Sequence, residues 1–279
     1  MSDSLVSKRF LAVLKYIFLV ILVFLSVGPL LWVFVSSFKT NAEVLNDTGF
    51  FPKNFTIQSY VTAIEMTPIG RFYINSVVVA VGTVFLNLAV LGMSAYAVSR
   101  FEFRFKRMII LIISLTLLIP GTALMQPLYG TINTLGLTDS LVGLIIVYAG
   151  FGLPTTFYIL SSYFLTIPKE MEESAYIDGA GFVQTFIRII IPISKPGFAT
   201  AAIMQFLGAW NEFQFALILT TSVKSRTLPM ALFYFKTQYS SNYGAMFAGT
   251  ILVVVPSIIV YILLQEQVVS GLAAGAVKG

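Results

Sequence analysis

The sequence predicts an all-α integral membrane protein with six transmembrane helices in a single domain of residues 1–279. Hydrophobic residues make up 57% of the chain and charged residues only 10%, whereas a soluble domain carries about 25% charged residues. Several apolar runs reach the ~20 residues that a helix needs to cross the ~30 Å hydrocarbon core of a bilayer. The chain has no cysteine and no histidine, which excludes disulfides and removes the commonest metal ligand, so no metal site is expected.

Six apolar runs define the expected spans. The first follows Lys8 and Arg9, as a secretory signal would, but it is longer than about 7–15 residues and no small-residue cleavage site follows it. We therefore expect it to be retained as a transmembrane helix. Pro29, Pro120 and Pro154 lie inside three of the runs, where transmembrane helices tolerate proline. The expected spans cover about residues 11–38, 72–99, 108–128, 141–164, 196–221 and 245–264.

The polar segments between the spans indicate the orientation of the chain. Six spans place both termini on one side, and that side carries eleven of the seventeen Lys and Arg residues. Because basic residues concentrate in cytoplasmic loops, both termini are expected in the cytoplasm. The basic turn from Arg100 to Arg107 lies on the same side, as does the loop 166–195. This loop holds the longest polar, turn-containing stretch between two apolar runs.

The cytoplasmic loop is expected to fold into two short helices joined by a glycine turn. Pro168 suits the first position of a helix, where its missing N–H costs nothing. The acids Glu170, Glu172 and Glu173 follow, where the helix dipole favours negative charge. Gly179 readily adopts the left-handed conformation of a C-terminal cap, so the first helix should stop there.

The second helix of the pair is expected to begin near Phe182 and to end by Pro192. Phe182, Phe186 and Ile189 fall on one helical face at spacings of i, i+4 and i+7, which gives this helix an apolar stripe. A short helix pair with such a ridge suits a groove on a soluble protein. It suits the membrane surface equally well, so spacing alone leaves both interpretations open.

The same residues resemble the EAA loop of bacterial ABC importer permeases. The family pattern reads Glu-Ala-Ala, three residues, Gly, nine residues, Ile, one residue and Leu-Pro. The chain has Ser174 where the family has its middle Ala, and Ile191 where the family has Leu. The resemblance implies a coupling helix pair that docks into a cleft of a cytoplasmic ATPase, with Glu173 pairing with a basic residue there. The implied coupling residues are Glu173, Ser174, Ala175, Asp178, Gly179, Ala180, Phe182, Phe186, Ile189 and Pro192.

Three further segments resemble the smaller permease of maltose-type and multiple-sugar importers. They are the tail 271–279, the run Trp210-Asn211-Glu212-Phe213, and the loop with Pro127-Leu128-Tyr129 followed by Leu135-Gly136-Leu137. The resemblance extends from about residue 10 to the C-terminus. It implies the architecture of a type I ABC importer permease and a carbohydrate cargo.

The resemblance also implies the partners. The chain would form a heterodimer with a second permease subunit in the bacterial inner membrane, surrounded by membrane lipid. Two cytoplasmic ATPase subunits would use ATP and Mg, and an extracytoplasmic solute-binding protein would deliver the sugar. The chain itself would bind no cofactor and catalyse nothing, since it carries no phosphate-binding Gly-x-x-x-x-Gly-Lys-Ser/Thr motif. No basic tract suggests a nucleic-acid partner.

Several other residues are candidates for the transport path and for partner contacts. Glu212 is the only acid well inside an expected span, and an intramembrane acid is a functional hypothesis by default. Trp210 would stack on a sugar ring or anchor the helix at the interface, while Gln205 and Asn211 would bind hydroxyls or join helices. Contacts with the binding protein are assigned to Tyr239, Asn242 and Tyr243. Insertion between the ATPases is assigned to Gly275, Ala276, Val277, Lys278 and Gly279.

Two alternatives remain open at this point. The same permease role is compatible with another cargo, such as glycerol phosphate or a polyamine. An ion-coupled secondary transporter is the other alternative, but it would need intramembrane ionisable residues and usually shows inverted repeats. The chain offers one intramembrane acid and no evident repeat.

Overall fold

The computed structural model describes the backbone of residues 2–235 and 242–276, and the side chains of residues 11–235 and 242–266. Within these residues the fold is helical. Two short 3₁₀ segments, Gly121–Leu124 and Leu228–Phe235, and a π-helical turn, Phe186–Ile190, interrupt the α-helices. The α-helices in chain order are α1 Ser2–Ser36, α2 Asn41–Asn46, α3 Gln58–Met66, α4 Ile69–Arg100, α5 Lys106–Thr116, α6 Met125–Thr134, α7 Leu141–Thr166, α8 Glu170–Ile177, α9 Phe182–Thr185, α10 Ile191–Ile193, α11 Lys195–Asn211, α12 Gln214–Leu219 and α13 Tyr243–Ala276.

Four helices in the described part of the chain are long and apolar enough to cross a membrane. They are Leu11–Ser36, Ile69–Arg100, Leu141–Thr166 and Tyr243–Glu266. Two further candidates are bent pairs, Lys106–Thr116 with Gly121–Thr134 at 96° and Phe182–Ile193 with Lys195–Asn211 at 79°. Counting each bent pair as one span gives up to six.

The two broken candidates depart from the expected continuous spans. The span expected at 108–128 stops at Thr116, and the chain turns at Pro120 because proline lacks an amide and cannot continue a helix. The span expected at 196–221 ends at Asn211, and a new helix starts at Gln214. At this break the Glu212 carboxylate accepts hydrogen bonds from the amides of Phe215 (2.8 Å) and Ala216 (3.1 Å), which satisfies the free donors at the start of α12.

The chain divides into two compact units. The first comprises residues 1–67 and 232–254. There the buried Lys39 donates from Nζ to the Gly49 carbonyl, and its own carbonyl accepts a hydrogen bond from Ser59 Oγ at 2.7 Å. The ring of Phe38 stacks on Phe55 with centroids 4.8 Å apart. These contacts order the polar segment that follows α1.

The second unit comprises residues 68–231 and 255–279 and is built on α4, α7 and α11, which pack against one another. Its core is a cluster of buried apolar and aromatic side chains contributed mainly by these three helices. The members are Leu91, Ala95, Tyr96, Val98, Phe157, Leu160, Phe164, Ile167, Phe186, Ile190 and Ala201. Phe186 and Ile190 belong to the loop 166–195, which is expected in the cytoplasm. Part of this loop therefore packs into the core.

Asp139 is the acceptor of a hydrogen-bond network in the second unit. Asp139 has φ +54°, and one carboxylate oxygen accepts from the amides of Thr221 (2.8 Å) and Ser222 (2.9 Å) and from the Ser225 hydroxyl. Burial alone would raise the pKa of Asp139, but these hydrogen bonds outweigh it and hold the pKa below its usual range. These hydrogen bonds join the loop before α7 to the segment after α12.

Candidate functional site

Helix α8 and its terminal turn form the first half of the candidate coupling site. The amide of Ala180 donates to the Ala175 carbonyl at 2.9 Å, and the amide of Gly179 donates to the Tyr176 carbonyl at 3.1 Å. These two bonds make a Schellman motif. Gly179 has φ +85°, a left-handed conformation that glycine adopts without steric cost. The expected glycine cap is confirmed, and it turns the chain directly into the second helix.

The second helix runs continuously from Phe182 to Ile193, so the expectation that it ends by Pro192 is wrong. The turn Phe186–Ile190 is π-helical. A proline clashes with the carbonyl four residues before it in an α-helix, and the wider π turn relaxes the backbone in front of it. The helix therefore accommodates Pro192, and the chain then bends into α11.

The apolar stripe of this second helix faces inward, which corrects the expectation that it offers a ridge to a partner. Phe186 is 5% exposed, and Phe182 and Ile189 are half-buried. The rings of Phe182 and Phe186 stack on Tyr96 of α4, with centroid distances of 5.3 Å and 5.2 Å. The stripe attaches the helix pair to its own chain, because α4 supplies an aromatic surface that loop periodicity does not reveal.

A different set of side chains points outward from the helix pair. Ile177 is 85% exposed, Val183 51% and Ile187 53%, and the acids Glu173 and Asp178 are also exposed. We call these five residues the docking face. It combines carboxylates with large exposed aliphatic groups.

The remaining residues of the motif do not all share this outward orientation. Ala175 is buried, Ala180 is half-buried, and Ser174 and Pro192 are exposed. The Ser174 hydroxyl donates to the Glu170 carbonyl at 2.8 Å. Ala175 is buried because it lies on the side of α8 that rests on the core.

A buried ionic network ties α8 to the end of α4. Glu172 forms an ion pair with Arg100, with Arg100 Nε and Glu172 Oε1 2.6 Å apart and side-chain exposures of 4% and 8%. Tyr96 donates from its hydroxyl to Glu172 Oε2 at 2.9 Å, and Arg100 Nη2 donates to the Ile167 carbonyl at 2.7 Å. Sequence reasoning assigned Glu172 to the helix dipole and Arg100 to a basic turn, and it missed the network. Only the shared face of Glu172 and Ala175, at i and i+3, hinted that this acid points inward.

A second candidate site is a cavity of about 350 Å³ between α7 and α11. Gln205 lies on its wall, is 7% exposed, and donates from Nε2 to the Tyr148 carbonyl at 3.0 Å. A Cβ on Gly152 would lie 1.6 Å from Gln205 Oε1, so glycine is required for this close approach. The lining residues are Tyr148, Phe151, Gly152, Thr155, Met204, Gln205, Gly208, Ala209, Glu212 and Phe215.

The four residues assigned to the transport path lie in different environments. Gln205 and Glu212 line the cavity, although both are engaged with the backbone as described above. Trp210 is 2% exposed and stacks on Phe206 with centroids 5.5 Å apart. This burial leaves its ring no free face for a sugar and makes it a packing residue. Asn211 is exposed and donates from Nδ2 to the Leu207 carbonyl at 2.9 Å.

The residues assigned to partner contacts are only partly described. Asn242 accepts from the Ala245 amide at 2.9 Å and so caps the start of α13, while the adjacent Tyr243 is 38% exposed. Tyr239 lies outside the described residues. Gly275 and Ala276 form the end of α13, and Val277, Lys278 and Gly279 lie outside the described residues.

Comparisons with known proteins agree with this architecture. Residues 88–268 match the family model described as binding-protein-dependent transport system inner membrane component. A diacetylchitobiose uptake system permease of Streptomyces coelicolor is 33% identical over 98% of this chain and 91% of its own length. A trehalose transport system permease of Mycobacterium tuberculosis is 36% identical over 90% of this chain and 92% of its own length.

A solved structure shares the fold. It belongs to a bacterial ABC transporter involved in the import of the acidic polysaccharide alginate, and it superimposes with a TM-score of 0.82 at 24% identity, covering 93% of this chain and 97% of the other. The family match spans more than half of the chain, and the relatives match almost all of it. The expectation of an importer permease is thereby confirmed. The chain belongs to the family of binding-protein-dependent transport system inner membrane components, and it is a multi-pass membrane subunit of a transporter rather than an enzyme.

Proposed function

We propose that the chain is one permease subunit of an ATP-driven importer of a sugar or oligosaccharide, and that the docking face receives the motion of a cytoplasmic ATPase. The observation that carries this proposal is the orientation of α8. It exposes Glu173 and Ile177 on one side and buries Glu172 and Ala175 on the other. A helix held by its inner face to the core and presenting carboxylate and aliphatic groups outward suits a groove in a soluble partner.

The complete importer would contain this chain, a second permease subunit, two ATPase subunits and an extracytoplasmic binding protein. The ATPases would use ATP and Mg, and this chain would bind neither. Its termini and docking face would lie in the cytoplasm, which agrees with the excess of Lys and Arg on that side. In this arrangement the closing of the ATPases moves the docking face, and the spans alternate between outward-facing and inward-facing states.

The cargo class is supported by the relatives and by the cavity between α7 and α11. The relatives described above transport diacetylchitobiose and trehalose. The cavity has a volume within the roughly 300–1,000 Å³ range of small-molecule sites, and aromatic rings with a few polar groups line it, as a sugar requires. Its lining includes Glu212 and no Lys or Arg, which disfavours a phosphorylated cargo.

Transport by the reconstituted importer tests this proposal. We would place the two permease subunits and the ATPase in proteoliposomes, add the binding protein loaded with radiolabelled disaccharides, and measure uptake with ATP inside or outside the vesicles. Uptake that requires ATP on the cytoplasmic side and stops with a hydrolysis-deficient ATPase is expected. Uptake driven by a proton or sodium gradient without ATP would contradict the proposal. Calorimetric titration of the binding protein with sugars, glycerol phosphate and polyamines would identify the cargo.

A further inference from the structure

We infer that the buried Arg100–Glu172 ion pair, together with the Tyr96 hydroxyl, is the positioning link that makes α4 move with the docking face. This inference rests on the proposed function, because it concerns how motion delivered to α8 reaches the spans. The residues concerned lie outside the docking face and outside the cavity. They connect α8, which carries part of the docking face, to the end of α4.

Chain connectivity alone joins the docking face to only two of the three core helices. α8 follows α7 after the turn at Ile167, and the second helix of the pair leads into α11 after Ser194. α4 ends at Arg100, and the basic turn and α5 follow it. Motion of the helix pair can therefore reach α4 only through side-chain contacts, either indirectly through the packing of α4 on α7 and α11 or directly from α8.

The network supplies such a contact at three points. Glu172 is held by Arg100 at one carboxylate oxygen and by Tyr96 at the other, 2.6 Å and 2.9 Å away. Arg100 also donates to the Ile167 carbonyl in the turn between α7 and α8. The Tyr96 hydroxyl fixes one carboxylate oxygen by a hydrogen bond, and the close charge of Arg100 attracts the other. These contacts hold α8 close to the end of α4.

The aromatic stack of Phe182 and Phe186 on Tyr96 reinforces the attachment but does not define it. The apolar burial of these rings is non-directional, so the stack tolerates a small displacement better than an ion pair does. The ion pair resists sliding, because separation would leave two charges buried without partners. Loss of the pair should therefore leave the fold assembled while α8 shifts relative to α4.

The test uses the complete importer in nanodiscs with three single variants of this chain. Glu172→Gln removes the charge, Tyr96→Phe removes only the hydroxyl, and Glu170→Gln changes an exposed acid of the same helix as a matched control. The first readout is the number of ATP molecules hydrolysed per sugar transported. The second is the distance distribution between spin labels on Met171→Cys of α8 and Met93→Cys of α4, both exposed positions that are straightforward to label because the chain has no cysteine.

We expect Glu172→Gln to broaden the distance distribution and to raise ATP use per sugar by about 2- to 30-fold, the range of coupling changes for residues that link two sites. Tyr96→Phe should also broaden the distance distribution and raise ATP use per sugar, but by a smaller amount. Glu170→Gln should change neither quantity. A mainly structural role would lower ATPase activity and uptake together and leave their ratio unchanged. If Glu172→Gln does not assemble, Tyr96→Phe alone decides the question.

Either readout remaining at its wild-type value in the assembled variants would overturn the inference. Failure of the proposed function has a different signature, because the wild-type importer would then transport no sugar with ATP. The distance measurement would still report in that case whether the network fixes α8 to α4.

Discussion

Replacing Gly179 tests whether the geometry of the turn between the coupling helices controls the transfer of motion. No atom lies within 4 Å of the position that a Cβ would occupy at Gly179, so a side chain there meets no steric obstacle. The whole cost arises from φ +85°, which for an L-residue is about 1–2 kcal/mol. Relief of that strain breaks the two hydrogen bonds of the Schellman motif, which contribute about 0.5–1.5 kcal/mol each.

For alanine, the backbone strain energy and the energy of the two hydrogen bonds are similar. Gly179→Ala should therefore populate both the original turn and a relaxed one. Gly179→Val adds the rigidity of a β-branched side chain and should shift most molecules to the relaxed turn. Gly179→Asn should stay close to wild type, because asparagine tolerates the left-handed region. We therefore expect ATP use per sugar to rise in the order Gly, Asn, Ala and Val in proteoliposomes.

The matched control is Gly181→Ala, because Gly181 has φ −80° and an equally open Cβ position. It should transport normally. The thermal midpoint of each purified variant in detergent would confirm that the spans remain folded. Normal coupling in Gly179→Val, with an intact fold, would refute the argument that the left-handed turn positions the docking face.

Three further predictions follow from the described contacts. Gly152→Ala should lower the thermal midpoint, because its Cβ would overlap the Gln205 amide and overpacking typically costs about 1–3 kcal/mol, whereas Gly150→Ala, with no neighbour within 4 Å, should leave it unchanged. The pKa of Asp139 is held low in the folded state, so the ionised carboxylate stabilises the fold above the ordinary pKa of 3.8, and this stabilisation is lost as the pH falls below that value. The variant Asp139→Asn should therefore be less stable than the wild type at neutral pH. The stability of the variant should also vary less with pH in that acidic window. Ile177→Asp should weaken co-purification of the ATPase without changing the thermal midpoint, since this side chain is 85% exposed.

Much of the fold follows from local sequence properties. Apolar length predicted the helices over 69–100 and 141–166 within a few residues of their observed ends, because a membrane span depends on hydrophobicity and not on a partner. The Gly179 cap was likewise predictable, since a left-handed residue at the end of a helix strongly favours glycine. The break at Glu212 was not, because an intramembrane acid gives no sign of which amides it will accept from.

The sequence by itself determined that the chain is a helical membrane protein, that a two-helix unit turns at Gly179, and which family that unit resembles. Only the tertiary structure decided which faces of those helices are buried and which are exposed. Glu172 and Glu173 are adjacent acids with the same helix propensity, and the only local sign that distinguishes them is the face that Glu172 shares with Ala175. Their roles depend on Arg100 and Tyr96, more than seventy residues earlier in the chain. The same long-range surface turns the stripe of Phe182 and Phe186 inward, because burial is decided by what a helix packs against and not by its own periodicity.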